Sequence, residues 1–116
     1  MQRRARKAEF NQKARKAIEQ RDNGCIFCGM HYRMEKALPM DLSVFSIMHF
    51  IPRSAGGLGI EENGAVGCQY HHDMLDNGNG GHRKEMLGLF EEYLKQFYSN
   101  WDKSKLVYDK WSFLKI

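Results

Sequence analysis

Apolar positions are sparse at the start of this chain. Between Gln2 and Gln20 only Phe10, Ala14 and Ile18 make a stripe at four-residue spacing, among alanine and charged side chains. That pattern predicts a surface helix, closed by the turn signal Asp22-Asn23-Gly24. Residues 29 to 41 read as irregular, with Pro39 unsuited to a strand or helix interior. Residues 42 to 52, LSVFSIMHFIP, are rich in β-branched and aromatic side chains and predict a strand that Pro52 and the following SAGG terminate. The next stretch, LGIEENGAV, predicts a loop with at most a short strand or helical turn, because Asn63 and Gly64 punctuate it. CQYHHDMLDNG, residues 68 to 78, predicts about two turns of helix closed by Asn77 and Gly78. From His82 to Tyr98, the residues Met86, Leu87, Leu89, Phe90, Tyr93, Leu94 and Phe97 recur at helical spacing, an amphipathic helix expected to pack on the preceding part. A last short helix capped by Asp102 is expected beyond it, with Trp101, Tyr108 and Trp111 available for packing.

The 116 residues fit one α+β domain whose core is small enough to gain from a staple. No apolar run approaches the roughly 18 residues that a membrane span needs. The charged N-terminus does not resemble a signal peptide, so a cytoplasmic location is expected. The net charge is +4, and it is unevenly placed. Residues 1 to 22 carry eight bases, Arg3, Arg4, Arg6, Lys7, Lys13, Arg15, Lys16 and Arg21, against the acids Glu9, Glu19 and Asp22. That excess exceeds the whole-chain value and makes the segment a candidate phosphate-binding arm, against the plainer reading of a solvated helix face.

Three cysteines are too few for a disulfide framework and suit thiolate ligands. Cys25-x2-Cys28 is answered, after 39 intervening residues, by Cys68-x2-His71. Two such knuckles offer four soft or borderline ligands, a closed tetrahedral site of the structural zinc type. Spacing alone leaves the fourth ligand open, since both His71 and His72 lie within reach of Cys68 around a helix.

At this point the residues resemble the HNH endonuclease family, in the subgroup whose fold is supported by zinc knuckles. The match covers about residues 25 to 78. It rests on His49 in IMHFIPRSAGG, Asn63 in EENGAVGC and His72 directly after the second knuckle. The run GGLGIEENG with HHDMLDNG is also similar to small HNH proteins of bacteriophages and prophages. The resemblance implies a ββα-metal core over 25–78 stapled by zinc, flanked by a basic N-terminal helical arm over 1–22 and by C-terminal helices over 82–116. It assigns His71 to the structural zinc and His72 to a catalytic divalent ion, Mg²⁺, Mn²⁺ or another first-row metal. His49 becomes the general base, and Asn63 orients the base or its loop. Asp76, four residues after His72, is a candidate second ligand on the same helix face. Arg53 is a candidate phosphate contact, and Arg3, Arg4, Arg6 and Lys7 are candidate DNA contacts of the arm. DNA is the expected partner. If the protein is phage-encoded, the resemblance implies the host cytoplasm and terminase or other packaging proteins as further partners.

In that family the residue before the base is usually Asp or His and binds the ion; here it is Met48, a poor ligand for a hard cation. Two readings follow. Either the ion is held by His72, Asp76, water and the DNA phosphate, or the chain is a noncatalytic zinc module that binds nucleic acid or a protein.

Overall fold

The computed structural model of the protein describes residues 8–77 and 81–108. In chain order they form α1 (Gln12–Asp22), α2 (Ile26–Gly29), α3 (Pro39–Ser43), β1 (Phe45–His49), β2 (Gly64–Cys68), α4 (Gln69–Asp76) and α5 (Arg83–Lys95). Short 3-10 turns lie at Arg53–Ala55, Glu61–Asn63 and Lys103–Leu106. The architecture is α+β, with β1 and β2 antiparallel and Ile47 opposite Val66, Met48 opposite Ala65 and His49 opposite Gly64.

The two faces of this small sheet are covered differently. Because side chains alternate along a strand, Ile47 and Val66 turn to α1 and pack with Phe10, Ala14 and Ile18. Met48 and Ala65 turn the other way, into the larger core with Phe27, Leu75, Met86, Phe90, Leu94 and Leu106. The expected apolar stripe therefore exists, but the helix that carries Ala14 and Ile18 covers Gln12–Asp22, and residues 9–11 are not helical. Asn11 caps it, its Oδ1 accepting from the Ala14 N–H at 2.8 Å, and Phe10 packs from the segment ahead of the cap.

The end of α1 is not a solvated basic face. Arg21 and Asp22 form a buried pair with a 2.6 Å contact and side chains 8% and 0% exposed. Arg21 donates to the carbonyls of Glu61 (3.0 Å) and Gly64 (2.7 Å) and to the Tyr98 hydroxyl (2.9 Å). Asp22 accepts from the Val66 N–H (2.8 Å) and the Tyr93 hydroxyl (2.7 Å). The pair thus satisfies the backbone of the outer edge of β2, a role that a third strand plays in a wider sheet.

Two local expectations are corrected. Residues 42–52 do not form one strand: β1 covers only Phe45–His49, and Leu42 and Ser43 belong to α3. That helix opens on Pro39 itself, at its first turn, where a missing N–H costs nothing. The stretch 58–66, expected to be a loop with at most a short strand or helical turn, holds the 3-10 turn Glu61–Asn63 and enters β2 at Gly64, and every residue of this strand is buried. Its composition hides it, because packing selects the small residues: a Cβ on Gly67 would lie 2.4 Å from the Met48 sulfur, and one on Gly64 would lie 2.6 Å from the Phe10 ring.

The helices after the sheet follow the expected pattern. Met86, Phe90 and Leu94 are the buried face of α5. Asp102 caps the 3-10 turn that follows, its Oδ1 accepting from Ser104 N at 2.9 Å. Trp101 packs on Phe50 at 5.5 Å, and Val107 bridges back to Gly57. Gly78 and Trp111 lie outside the described residues. No helix among the described residues is long and apolar enough to cross a membrane.

Candidate functional site

The two knuckles are helix N-caps. Cys25 caps α2 and Cys68 caps α4, each Sγ accepting the N–H three residues on, from Cys28 at 3.4 Å and from His71 at 3.5 Å. This brings the ligand atoms of Cys25, Cys28, Cys68 and His71 within 4.8 Å of one another. His71 Nδ1 lies 3.5, 3.6 and 3.3 Å from the sulfurs of Cys25, Cys28 and Cys68, and the Cys28 and Cys68 sulfurs are 3.6 Å apart. A tetrahedral ion with ligand bonds of about 2.0–2.3 Å sets edges of roughly 3.5–3.8 Å, so the group can hold a metal ion such as zinc.

Between the adjacent histidines the geometry distinguishes plainly. His71 is fully buried, and its Nε2 donates to the Tyr32 carbonyl at 2.7 Å. That bond leaves the Nδ1 lone pair facing the thiols, the usual way a ligating imidazole is oriented. The carbonyl is delivered by an unusual backbone: His31 and Arg33, on either side of Tyr32, have φ of 55° and 45°. Two non-glycine residues in this left-handed region cost of order 1 kcal/mol each. The loop is held by Tyr32 N–H to the Phe27 carbonyl (2.9 Å) and by the Tyr70 hydroxyl to the Arg33 carbonyl (2.7 Å).

The thiols do not share negative charge easily. Burial works to raise Cys25, but the hydrogen bond to His71 and the knuckle N–H groups outweigh it and bring the thiol down to about 7. Burial and the neighbouring Cys25 charge push Cys28 up, and burial raises Cys68. A cluster of this kind ionises fully only around a cation.

His72 points away from the thiols. Its Nδ1 meets the Ser46 hydroxyl of β1, and its Nε2 lies 2.8 Å from Asp76 Oδ2. His72 and Asp76 line an open cleft of about 900 Å³ together with His49, Arg15, Arg53 and Arg83. Two of the arginines are anchored while facing it: Arg15 Nε donates to the Phe10 carbonyl at 3.2 Å, and Arg83 donates to the Leu75 carbonyl at 2.7 Å. His49, at the end of β1, is held below its ordinary value first by burial and then by the charges of Arg53 and His72, against the Ala8 carbonyl and Asp76.

Asn63 is fully buried and does not line the cleft. It accepts from Ile51 N–H (2.8 Å) and donates to the carbonyls of Ile51 (3.2 Å) and Leu58 (2.8 Å). It closes the loop that follows His49, so its contribution is to place that loop. Met48 is fully buried over Gly67 and has no access to the cleft. Arg3, Arg4, Arg6 and Lys7 lie outside the described residues. Arg15 is one of the eight bases of the candidate phosphate-binding arm, whereas Ser46 and Arg83 were not distinguished by the sequence, because a single serine in a strand and a lone arginine carry no spacing signal.

Comparison with protein-family models, with curated proteins and with solved structures found no match.

Proposed function

We propose that the protein is an HNH-type endonuclease that hydrolyses DNA phosphodiester bonds with a divalent ion, on a ββα-metal core stapled by zinc at Cys25, Cys28, Cys68 and His71. The observation that carries this reading is the single cleft shared by His49, the His72–Asp76 pair and three arginines. It supplies the three things that the hydrolysis needs: a base, a place for a cation, and donors for the phosphate backbone.

In the proposed reaction His49 takes a proton from water as the water oxygen attacks phosphorus. The bond from phosphorus to the 3′ oxygen breaks, leaving a 5′-phosphate and a 3′-hydroxyl, the latter protonated from solvent. His72 and Asp76 would hold a divalent ion, which would supply Lewis-acid stabilisation of charge on the phosphate oxygens. Arg15, Arg53 and Arg83 contact non-bridging phosphate oxygens, which gives backbone affinity without base readout. The basic residues Arg3, Arg4, Arg6 and Lys7 add salt-sensitive affinity of the same kind.

The test is relaxation of supercoiled plasmid by purified protein with Mg²⁺ or Mn²⁺, beside His49→Ala. Metal-dependent nicking that His49→Ala abolishes is expected; equal traces of nicking in both proteins end the catalytic claim. The burial of Met48 favours one second reading, a zinc-stabilised module that binds nucleic acid without cutting it. Retardation of DNA with no nicking under either ion would establish that reading instead.

A further inference from the structure

The backbone just ahead of α1, residues 8–10, lines the cleft. His49 Nε2 lies 2.8 Å from the Ala8 carbonyl oxygen. A carbonyl only accepts, so Nε2 carries the ring proton and the lone pair is on Nδ1. The Phe10 ring packs on the same imidazole, with centroids 4.4 Å apart at 41°. Ala8 and Phe10 are each only 6% exposed, so this stretch is seated rather than draped.

Its seat is made by two glycines. A Cβ on Gly59 would lie 2.2 Å from the Glu9 oxygen, 2.3 Å from the Glu9 carbonyl carbon and 2.6 Å from Phe10 N. All three are backbone atoms, so no rotamer change can relieve the contact, and the segment itself has to move. Across from it, a Cβ on Gly64 would meet the Phe10 ring at 2.6 Å. Neither glycine has a left-handed φ, so what both positions require is space.

We infer that residues 8–10 are a working part of the cleft: the Ala8 carbonyl and the Phe10 ring are positioning groups that hold His49 as the Nε2–H tautomer, and Gly59 is the position on which this setting depends. The catalytic consequence rests on the endonuclease reading; the tautomer and its dependence on Gly59 do not. With Nε2 occupied by the Ala8 carbonyl, a water for His49 to activate would sit on Nδ1. A shift of the segment by an ångström frees the ring to rotate and to exchange tautomers, which matters because base geometry enters the rate steeply.

The experiment uses the full chain labelled with ¹⁵N-histidine. Long-range proton–nitrogen correlations, recorded where His49 is neutral, give its tautomer, and single-turnover nicking beside steady-state kinetics separates kcat from KM. In wild type His49 is expected as Nε2–H. In Gly59→Ala it is expected as a mixture, with kcat down roughly 10- to 100-fold at unchanged KM, and with zinc content and cooperative melting retained. Phe10→Leu keeps the apolar filling and removes the ring contact; it carries the same comparison should Gly59→Ala fail to fold. An Nδ1–H tautomer in wild type overturns the assignment whatever the variants do. A changed tautomer with an unchanged nicking rate overturns the catalytic half. Absence of nicking in wild type ends the endonuclease reading, while the tautomer measurement still decides the role of the segment.

Discussion

His72 Nε2 and Asp76 Oδ2 face each other at 2.8 Å across one turn of α4, while the Ser46 hydroxyl holds the other nitrogen of the ring. Neighbouring ligands on an octahedral ion with bonds of about 2.1 Å stand roughly 3 Å apart, so these two atoms already have the spacing of a ligand pair. With an ion bound, Ser46 would accept from Nδ1–H and the Nε2 lone pair would face the cation in place of its hydrogen bond to Asp76. Mn²⁺ binding followed by calorimetry or electron paramagnetic resonance is therefore expected to weaken by at least about tenfold in His72→Ala and in Asp76→Ala, with zinc content unchanged. Equal Mn²⁺ affinity in both variants and wild type would remove the proposed ion site.

The thiol cluster predicts one tightly held metal per chain. Structural zinc contributes of order 10 kcal/mol of apparent binding energy in small domains, and here it would join segments about 40 residues apart. Chelation should lower the melting temperature sharply, and Cys68→Ser should give protein that does not fold cooperatively. Elemental analysis is the check: zinc-free protein with three freely titratable thiols and an unchanged melt would refute the site.

Met48 is fully buried against Gly67, so an acidic residue placed at this position should not add a ligand to the cleft. Met48→Asp places an unpaired carboxyl in the core and is expected to cost more than about 3 kcal/mol. Urea unfolding measures the loss. Near-native stability together with tighter Mn²⁺ binding would show that the strand side of the cleft is open after all.

Asp22 compensates a buried guanidinium as well as two further donors, Val66 N–H and the Tyr93 hydroxyl. Asp22→Ala leaves Arg21 unpaired in the interior, a change expected to cost about 3–5 kcal/mol. Tyr93→Phe removes one hydrogen bond of the same network and should cost about 1 kcal/mol. Both are read from denaturant midpoints, and similar values for the two variants would contradict the buried-pair account.

His49 is held below the ordinary 6.5 by burial, with Arg53 and His72 adding and the Ala8 carbonyl and Asp76 opposing. Just below pH 6.5 the unfolded chain takes up a proton that the folded chain refuses. The contribution of His49 to stability is thus complete above about pH 6.5, declines as pH falls through it, and stops declining below the folded value. Urea titrations across this range should show an acid-side loss that is smaller in His49→Gln. If the proposed nuclease reading holds, the nicking rate should hold through neutrality and fall only on the acid side, as His49 becomes protonated.

Local chemistry made some elements legible from the sequence alone. Two thiols three positions apart, answered by Cys68 and His71, identify a group that can hold a metal ion because ligand type and knuckle spacing are properties of short segments. The spacing of Met86, Phe90 and Leu94 likewise predicts the buried face of α5, since helical period is local. Tertiary structure decided what depends on contacts distant in the chain. Strand β2, with its two glycines, is selected by Met48 and Phe10 pressing on it rather than by any strand preference of its own. Arg21, one of eight bases in the first 22 residues, turns inward because Asp22, Tyr98 and the β2 carbonyls make burial of its charge tolerable. The cleft around His49 draws Ala8 from 41 residues away. No periodicity records such a meeting, because it arises only when the glycines at 59 and 64 leave space for the chain to pass.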